Sequence, residues 1–238
     1  MNGPTKSGLE PDRPGLFRVL WIRAKGVLSL ILRGDFQELA GHVAYFFYRR
    51  RYPDDPWLAR PANSILASFL RKNDVGLEFG SGRSTVWFAE RILRLISIEH
   101  DPIWHEKVKN ELAARNLYNV DCLLVEKDVE DGKGQDSAYV RTTHKFSKNS
   151  FDFILVDGAY RDSCALASLE LLRPGGILII DDARWFLPSN STSPNARTSA
   201  QGPASPQWAQ FMDAVVSWRS IRTTDGIHDT TLCLKPYK

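Results

Sequence analysis

Apolar residues recur along the middle of the chain in short continuous runs that alternate with amphipathic stretches. Runs of this kind are typical of strands buried on both faces of a parallel sheet, and the stretches between them have helical spacing. The predicted strands are residues 75–79, 94–100, 119–126, 151–157, 175–182, 219–224 and 229–236, and the helices between the first five are residues 84–93, 102–115 and 161–172. The alternation predicts an α/β fold with a doubly wound, mostly parallel sheet.

The pattern also divides the chain into regions. Residues 1–15 are polar and rich in proline and glycine, which predicts a disordered tail. Residues 16–60 mix apolar and basic residues at helical spacing, which predicts basic amphipathic helices followed by a linker. Residues 61–238 form the predicted main domain. Within it, residues 186–207 are dominated by Ser, Pro, Asn and Gly and predict a flexible loop.

The N-terminal helical extension has two interpretations. In the first, its helices pack on the main domain, cover its active site or form a homodimer contact. In the second, its basic, aromatic-rich surface makes a peripheral contact with an anionic membrane or a membrane-bound partner. The second helix of the N-terminal extension ends in Arg49, Arg50 and Arg51, and positive charges suit the negative end of a helix dipole.

The composition of the chain limits where the protein can be located in the cell and which partners it can bind. The apolar run at residues 26–33 is too short to span a bilayer and lacks the features of a secretory signal. The three cysteines are scattered, without a CxxC pair, which favours a reducing compartment. These features predict a cytoplasmic protein, with the inner face of a membrane as a candidate site of attachment. A net charge of +3 does not imply a nucleic-acid partner.

Acidic residues fall at the carboxyl ends of the predicted strands. They are Glu78, Glu99, Asp128, Asp157, Asp181 and Asp182. Ligands of an open parallel sheet bind beyond the carboxyl ends of its strands. Scattered surface acids would not keep this register, so the pattern predicts a ligand site along one edge of the sheet.

The loop after the first predicted strand, in the stretch VGLEFGSGRST, indicates the ligand. A dinucleotide loop needs a third glycine, and Thr85 occupies that position here. Glu78 lies two residues before the first glycine, where a carboxylate would repel a pyrophosphate and attract an ammonium or sulfonium group. The loop therefore favours a cationic ligand over a dinucleotide.

The stretch from Glu78 to Ser84 resembles the first motif of class I S-adenosylmethionine-dependent methyltransferases, whose usual form is acid-x-Gly-x-Gly-x-Gly. Ser84 replaces the last glycine, and we expect this to matter little because a small residue can still open the next helix. FDFILVDGAY and LLRPGGILIIDD are similar to the fourth-strand and fifth-strand segments of the family. The resemblance covers about residues 62–182 and implies a Rossmann-like methyltransferase fold with a seven-stranded sheet.

The resemblance implies S-adenosylmethionine as the cofactor. Glu78 would hold its amino-acid end, directly or through water, and Glu99 would bind both ribose hydroxyls. Asp128 would face the adenine amino group. The other implied cofactor-binding residues are Gly80, Ser81, Gly82 and Asp157.

The reacting centre is expected at the fourth and fifth strand ends. Asp157-Gly158-Ala159-Tyr160 differs from the Asn/Asp-Pro-Pro-Tyr/Phe of amino-methylating DNA enzymes. Asp157, Asp181 and Asp182 resemble the acid set of metal-dependent small-molecule O-methyltransferases, which implies Mg²⁺. In the alternative, Asp157 alone lies near the methyl group and Asp181 or Asp182 caps the next segment.

The residues expected to act in catalysis are Asp157, Asp182 and His100, and those that could orient an anionic substrate are Arg161 and Arg184. The expected reaction is methyl transfer to an oxygen of a small molecule or a glycan. One alternative is an NAD-dependent oxidoreductase, which Glu78 and Thr85 disfavour. Another is a methyltransferase-like, non-catalytic accessory protein of a membrane complex. RNA methylation is a fourth alternative, which no separate basic domain supports but which residues 49–51, all arginine, leave open.

Overall fold

The computed structural model describes residues 36–237 of the 238 in the chain. The predicted tail and first N-terminal helix lie outside the described residues. The helices of the described part are α1 (Phe36–Arg51), α2 (Arg60–Phe69), α3 (Arg83–Ala89), α4 (Pro102–Ala114), α5 (Ala138–Arg141), α6 (Arg161–Leu171) and α7 (Pro206–Ala214). The strands are β1 (Val75–Phe79), β2 (Arg94–Glu99), β3 (Val120–Leu124), β4 (Phe151–Val156), β5 (Leu172–Asp181), β6 (Arg219–Thr224) and β7 (Asp229–Leu234).

The strands form one seven-stranded sheet in the order β3-β2-β1-β4-β5-β7-β6. The first five strands are parallel, and β7 runs antiparallel between β5 and β6. This confirms the predicted doubly wound, mostly parallel sheet. The strand order reverses between β1 and β4, and such a switch point opens a crevice for ligands at the carboxyl ends of the strands.

The hydrophobic core lies in two layers, one on each face of the sheet. Along β4, Ile154 and Val156 join the cluster on one face, while Phe153 and Leu155 join the cluster on the other. Successive side chains of a strand point to opposite faces, so a strand covered on both sides must be apolar throughout. This is the physical reason for the continuous apolar runs in the sequence.

Element boundaries differ from the predicted ones where tertiary hydrogen bonds take over. The helix expected over residues 84–93 ends at Ala89. The backbone N–H groups of Arg91 and Ile92 bond to Phe88, and the N–H of Leu93 then donates to the carbonyl of Asp74 at 3.0 Å, which leads the chain into β2. The backbone needs these bonds because its polar groups must be paired wherever they are buried.

The state of the cysteines relates to the predicted reducing compartment, and the length and polarity of the helices relate to membrane spanning. Cys164 and Cys233 are buried, Cys122 is half-buried, and all three are free thiols. Within residues 36–237, the helices are too short or too polar for any of them to cross a bilayer.

Candidate cofactor and acceptor site

A cleft opens at the carboxyl ends of β1, β2 and β4, where the strand order reverses. Its volume is about 300 Å³. The residues that line it are Gly80, Ser81, Glu99, His100, Asp101, Trp104, Asp157 and Gly158. The topology thus brings together residues that lie far apart in the sequence, and five of them are among the predicted site residues.

Two glycines form the floor where β1 and β4 end. Gly80 has a φ of +94°, and a Cβ on it would lie 2.7 Å from the backbone of Gly158. A Cβ on Gly158 would lie 2.3 Å from the hydroxyl of Tyr139. The two loops can approach this closely only because neither residue has a side chain.

Gly82 differs from Gly80. Its φ is 178°, which is extended backbone that any residue can adopt, and an added Cβ would meet no atom closer than 3.9 Å. The backbone conformation does not require glycine at Gly82. The prediction that Gly82 lets a ligand approach the backbone therefore depends on the open space beside this residue and not on its backbone conformation.

Glu78 is buried beneath the glycine loop and does not line the cleft. It has 0% exposure. It accepts hydrogen bonds from the hydroxyls of Ser84, Thr85 (2.6 Å) and Ser97 (2.8 Å). The structure therefore gives Glu78 a role in fixing the loop and the start of α3. Its contact with the amino-acid end of the cofactor, directly or through water, stays a prediction.

The hydroxyls that hold Glu78 explain the departure from the family's glycine pattern. Ser84 occupies the position of the missing glycine, and it donates to Glu78, as does Thr85. Thr85 also accepts from the backbone N–H of Gly82 at 2.8 Å. The expectation that Ser84 matters little is not supported, since a glycine there would remove one of three donors to a buried carboxylate.

Burial raises the pKa of Glu78 to about 7, although the hydrogen bonds from Ser84, Thr85 and Ser97 oppose the shift. Desolvation disfavours the charged form of a carboxyl group, and hydrogen bonds to the carboxylate favour it. Here desolvation is the larger effect.

Glu99 lines the cleft at the end of β2 and is held by backbone N–H groups. Its Oε2 accepts from Ser81 at 2.8 Å, and its Oε1 accepts from His100 and Asp101, each at 2.8 Å. Burial alone would raise the pKa of Glu99, but the hydrogen bonds from His100, Asp101 and Ser81 lower it below its ordinary value. A carboxylate offers about four acceptor positions, so Oε2 retains one for a ligand hydroxyl.

His100 follows Glu99 on the same side of the cleft. Its Nδ1 lies 3.0 Å from Oε1 of Glu99, and hydrogen bonding to Glu99 raises the pKa of His100. Its ring meets that of Tyr139 edge-on, with centroids 6.2 Å apart. His100 therefore lies with the predicted cofactor residues of β2, whereas the predicted reacting centre is at β4 and β5.

Two residues differ from expectation at this edge. Asp128 is exposed, does not line the cleft, and accepts from the backbone N–H of Ala138 at 3.0 Å, so it caps α5. Its contact with adenine stays a prediction.

Trp104 was not foreseen. It lines the cleft and donates from Nε1 to the carbonyl of Ser81 at 2.6 Å. Its spacing within the amphipathic helix α4 gives no signal of this role.

On the acceptor side, Asp157 faces the cleft with 30% of its side chain exposed. Burial raises its pKa to about 6, the positive charge of Arg161 opposes this, and the charges of Asp182 and Glu99 add to it. Arg161 donates to Oδ1 of Asp157 at 2.7 Å. The carboxylate is thus fixed in orientation and carries a pKa close to neutrality.

Arg161 is fully engaged within the protein. Besides Asp157 Oδ1, it donates to the carbonyls of Gly158 at 3.3 Å, Asp181 at 2.9 Å and Asp157 at 2.9 Å. It ties the ends of β4 and β5 together. The interpretation that Arg161 orients an anionic substrate is not supported by these bonds.

The predicted magnesium set does not form a metal site. Asp181 is buried and accepts from the hydroxyl of Thr230 on β7 at 2.8 Å. Asp182 adopts φ +48°, and its Oδ1 lies 3.3 Å from Nη2 of Arg184. Within residues 36–237, no three His, Cys, Asp or Glu side chains are grouped so that they could hold a metal ion. The bend at Asp182 turns the two neighbouring acids to different partners, so the described residues give the magnesium prediction no support.

Arg184 is the second arginine predicted to orient an anionic substrate, and it differs from Arg161 in how many of its donors are paired. Only 10% of its side chain is exposed. Its Nε and Nη1 have no hydrogen-bond partner among the described residues. Buried guanidinium donors are costly to leave unpaired, which is typical of a group that meets a ligand.

Comparison with known proteins agrees with this geometry. A family model described as a methyltransferase domain matches residues 77–183. No curated protein matches the chain in sequence.

Solved structures share the fold. The O-methyltransferase TomG of Streptomyces achromogenes, which is involved in tomaymycin synthesis and was crystallised with S-adenosylmethionine, is 22% identical with a TM-score of 0.52, over 79% of this chain and 86% of TomG. A protein of Corynebacterium glutamicum is 12% identical with a TM-score of 0.54, over 90% of this chain and 98% of that one. An rRNA-methylase-like protein of Clostridium thermocellum is 12% identical with a TM-score of 0.52, over 74% and 94%.

The sheet order and the cleft at its switch point agree with the family match. Residues 77–183 match a methyltransferase domain, and the chain shares the Rossmann-like fold of solved methyltransferases. The matched segment runs from β1 to the residue after Asp182 and contains every predicted cofactor residue.

Proposed function

We propose that this protein binds S-adenosylmethionine in the cleft and transfers its methyl group to an oxygen of a small molecule or a glycan. The observation that carries the proposal is the close approach of Gly80 and Gly158 beside two cleft-facing carboxylates, Glu99 and Asp157. The glycines let the two loops pack closely at the base of the cleft, and the carboxylates suit a cationic ligand. The cofactor would supply an electrophilic methyl group on a sulfonium.

Asp157 is the group that would accept the proton of the reacting hydroxyl. Its pKa of about 6 leaves it mainly ionised at neutral pH, and it is still basic enough to accept a proton as the hydroxyl becomes more acidic in the transition state. Arg161 fixes its orientation through Oδ1, which leaves Oδ2 for the acceptor. A carboxylate held in this way also helps to align the acceptor for an in-line displacement.

Arg184 supports an acceptor that carries an anionic group. Its Nη2 lies 3.3 Å from Oδ1 of Asp182, and the charge of Asp182 acts on Asp157. The guanidinium therefore lies near the same edge of the sheet, although Arg184 does not line the cleft itself. A planar guanidinium binds carboxylate and phosphate groups through paired hydrogen bonds. A hydroxylated acid, such as a phenolic or uronic acid, has the required chemistry.

The first test is calorimetric titration with S-adenosylhomocysteine. Glu99→Ala should weaken binding roughly 10- to 100-fold, because it removes a charge-assisted contact and the anchor of the loop. Glu170→Ala is the matched control, since Glu170 is 67% exposed and lies on α6, outside the cleft. Equal affinity of the Glu99→Ala variant would remove the cofactor assignment. Binding of NAD in place of S-adenosylhomocysteine would point to an oxidoreductase.

The second test is methyl transfer from labelled S-adenosylmethionine to hydroxylated acids and their neutral counterparts. We expect transfer to oxygen, with the acids preferred. Binding of the cofactor without turnover on any acceptor would support a non-catalytic accessory protein.

A further inference from the structure

Helix α1 is fastened to the domain by one face. The ring of Tyr45 packs on His228 with centroids 4.7 Å apart. The hydroxyl of Tyr48 donates to Asp55 and accepts from Asn63 at 3.4 Å. Gly41 lies against Ile227, where a Cβ would be 3.4 Å from the side chain. These contacts set the rotation of the helix about its axis.

The opposite face of α1 is an apolar stripe that no described residue covers. Phe36, Val43 and Phe47 are 67%, 50% and 64% exposed. Their spacings of seven and four place them on one side of a helix, and the exposed Ala40 lies between them. Phe46 flanks the stripe with 47% exposure. Contiguous exposed apolar residues on a domain surface indicate an interaction site.

Basic residues follow the stripe at one end. Arg50 and Arg51 are exposed and come three and four residues after Phe47, so they continue the same face. The guanidinium of Arg50 lies 5.5 Å from the centre of the Phe46 ring. The described side chains of α1 include no carboxylate. The face therefore combines an apolar stripe with positive charge.

We propose that this face of α1 docks on an anionic lipid bilayer, with the helix lying in the interface and its phenylalanines inserted. A helix binds in this way when an apolar face is joined by Lys or Arg, because the apolar side chains enter the acyl boundary while the cations meet anionic headgroups. A second copy of the chain fits less well, since the described side chains of this face include no acid to receive Arg50 and Arg51.

Co-flotation of the full-length protein with vesicles tests the proposal. The wild type should float with mixed phosphatidylcholine and phosphatidylglycerol, float poorly with phosphatidylcholine alone, and lose binding at high salt. Phe36→Ser with Phe47→Ser should weaken binding roughly tenfold or more. Arg50→Gln with Arg51→Gln should weaken it roughly tenfold.

Matched controls separate the face from general surface effects. Ile103→Ser with Tyr118→Ser removes two apolar side chains that are 69% and 80% exposed elsewhere. Arg141→Gln with Arg219→Gln removes two exposed charges from other elements. Both controls should float like the wild type, and all four double variants should bind S-adenosylhomocysteine equally, so that failure here is distinct from failure of the proposed methyl transfer.

Two results would overturn the proposal. One is a wild type that ignores the anionic vesicles, or an equal loss of flotation in the controls. The other is self-association in solution that the Phe36→Ser and Phe47→Ser changes abolish without any vesicle binding, which would assign the face to a second copy of the chain.

Discussion

The two sides of the sheet edge at which the cleft opens differ in how their polar groups are paired. On the β1–β2 side, Glu78 and Glu99 together accept six hydrogen bonds from the loop, the strand and the start of the helices. On the β4–β5 side, Asp157 is partly exposed, and Arg184 keeps two buried donors without a partner among the described residues. The carboxylates of the first side are largely paired within the protein, with one acceptor position left on Glu99, whereas the second side has guanidinium donors without a partner among the described residues.

This difference indicates a division of labour. In the proposed function, the β1–β2 side would hold the cofactor with a rigid frame of backbone and carboxylate groups that is organised in advance. The acceptor varies between members of a fold, and the groups that recognise it stay available until it binds. Each of the following experiments tests one side of this contrast.

The largest expected effect is on catalysis at Asp157. Asp157→Asn should lower kcat roughly 100- to 10,000-fold, because the amide cannot accept the proton, and any loss of S-adenosylhomocysteine binding should be much smaller. In the wild type, the rate should fall as the pH drops through about 6, where the carboxylate becomes protonated. Steady-state rates from pH 5 to 8 with an acceptor found in the methyl-transfer screen measure both effects. An unchanged pH profile in the Asp157→Asn variant would assign the base elsewhere.

Glu78 should make the protein less stable as the pH rises. Its pKa increases from 4.5 to about 7 on folding, so between these values the folded state holds a proton that the unfolded state has lost. The free energy of unfolding should therefore fall by up to about 3 kcal/mol across this window, relative to the Glu78→Gln variant. Urea unfolding at several pH values measures the difference.

Glu99 should show the opposite dependence of stability on pH from Glu78. Its pKa is lowered on folding, so its contribution to stability is present above the ordinary pKa and is lost as the pH falls. The same comparison with Glu99→Gln should give a difference of the opposite sign. Matching signs for the two residues would contradict the distinction between a buried anchor and a backbone-held carboxylate.

Gly80 and Gly82 should respond differently to the same substitution. Gly80→Ala forces a Cβ to within 2.7 Å of Gly158 at a φ of +94° and should lower the free energy of unfolding by roughly 1–3 kcal/mol. Gly82→Ala meets no atom within 3.9 Å and should change it by less than about 0.5 kcal/mol. Thermal and urea unfolding of the two variants decide this, and equal losses would mean that the floor of the cleft is more adaptable than its geometry implies.

The expected effect of Arg184 on stability is also small. Arg184→Met removes two unpaired buried donors together with the ion pair to Asp182, and these opposing effects should change the free energy of unfolding by less than about 1 kcal/mol. It should also raise the KM for an acidic acceptor. Arg161→Met is the matched control, because it breaks four hydrogen bonds and should destabilise the protein by roughly 2–4 kcal/mol. A large loss of stability in Arg184→Met would show a structural role instead of a binding one.

The position of the cleft could largely be predicted from local sequence. The alternation of apolar runs predicted the parallel sheet because burial on both faces requires apolar residues at every position. The acids and glycines after β1, β2 and β4 predicted the edge at which the cleft forms, since parallel strands end on the same side. Gly80, Glu99 and Asp157 therefore lie near one another as expected.

What only the tertiary structure decided is the direction in which each side chain points and what it meets there. The sequence by itself determined the fold class and the functional edge, because strand and helix periods and the glycine motif are local properties. It could not show that Ser84 and Thr85 hold a buried Glu78, that the left-handed residue Asp182 separates two neighbouring acids, or that Trp104 reaches Ser81. Those outcomes depend on packing between elements distant in the chain, where a single bend or one buried hydroxyl changes the partner of a charged group.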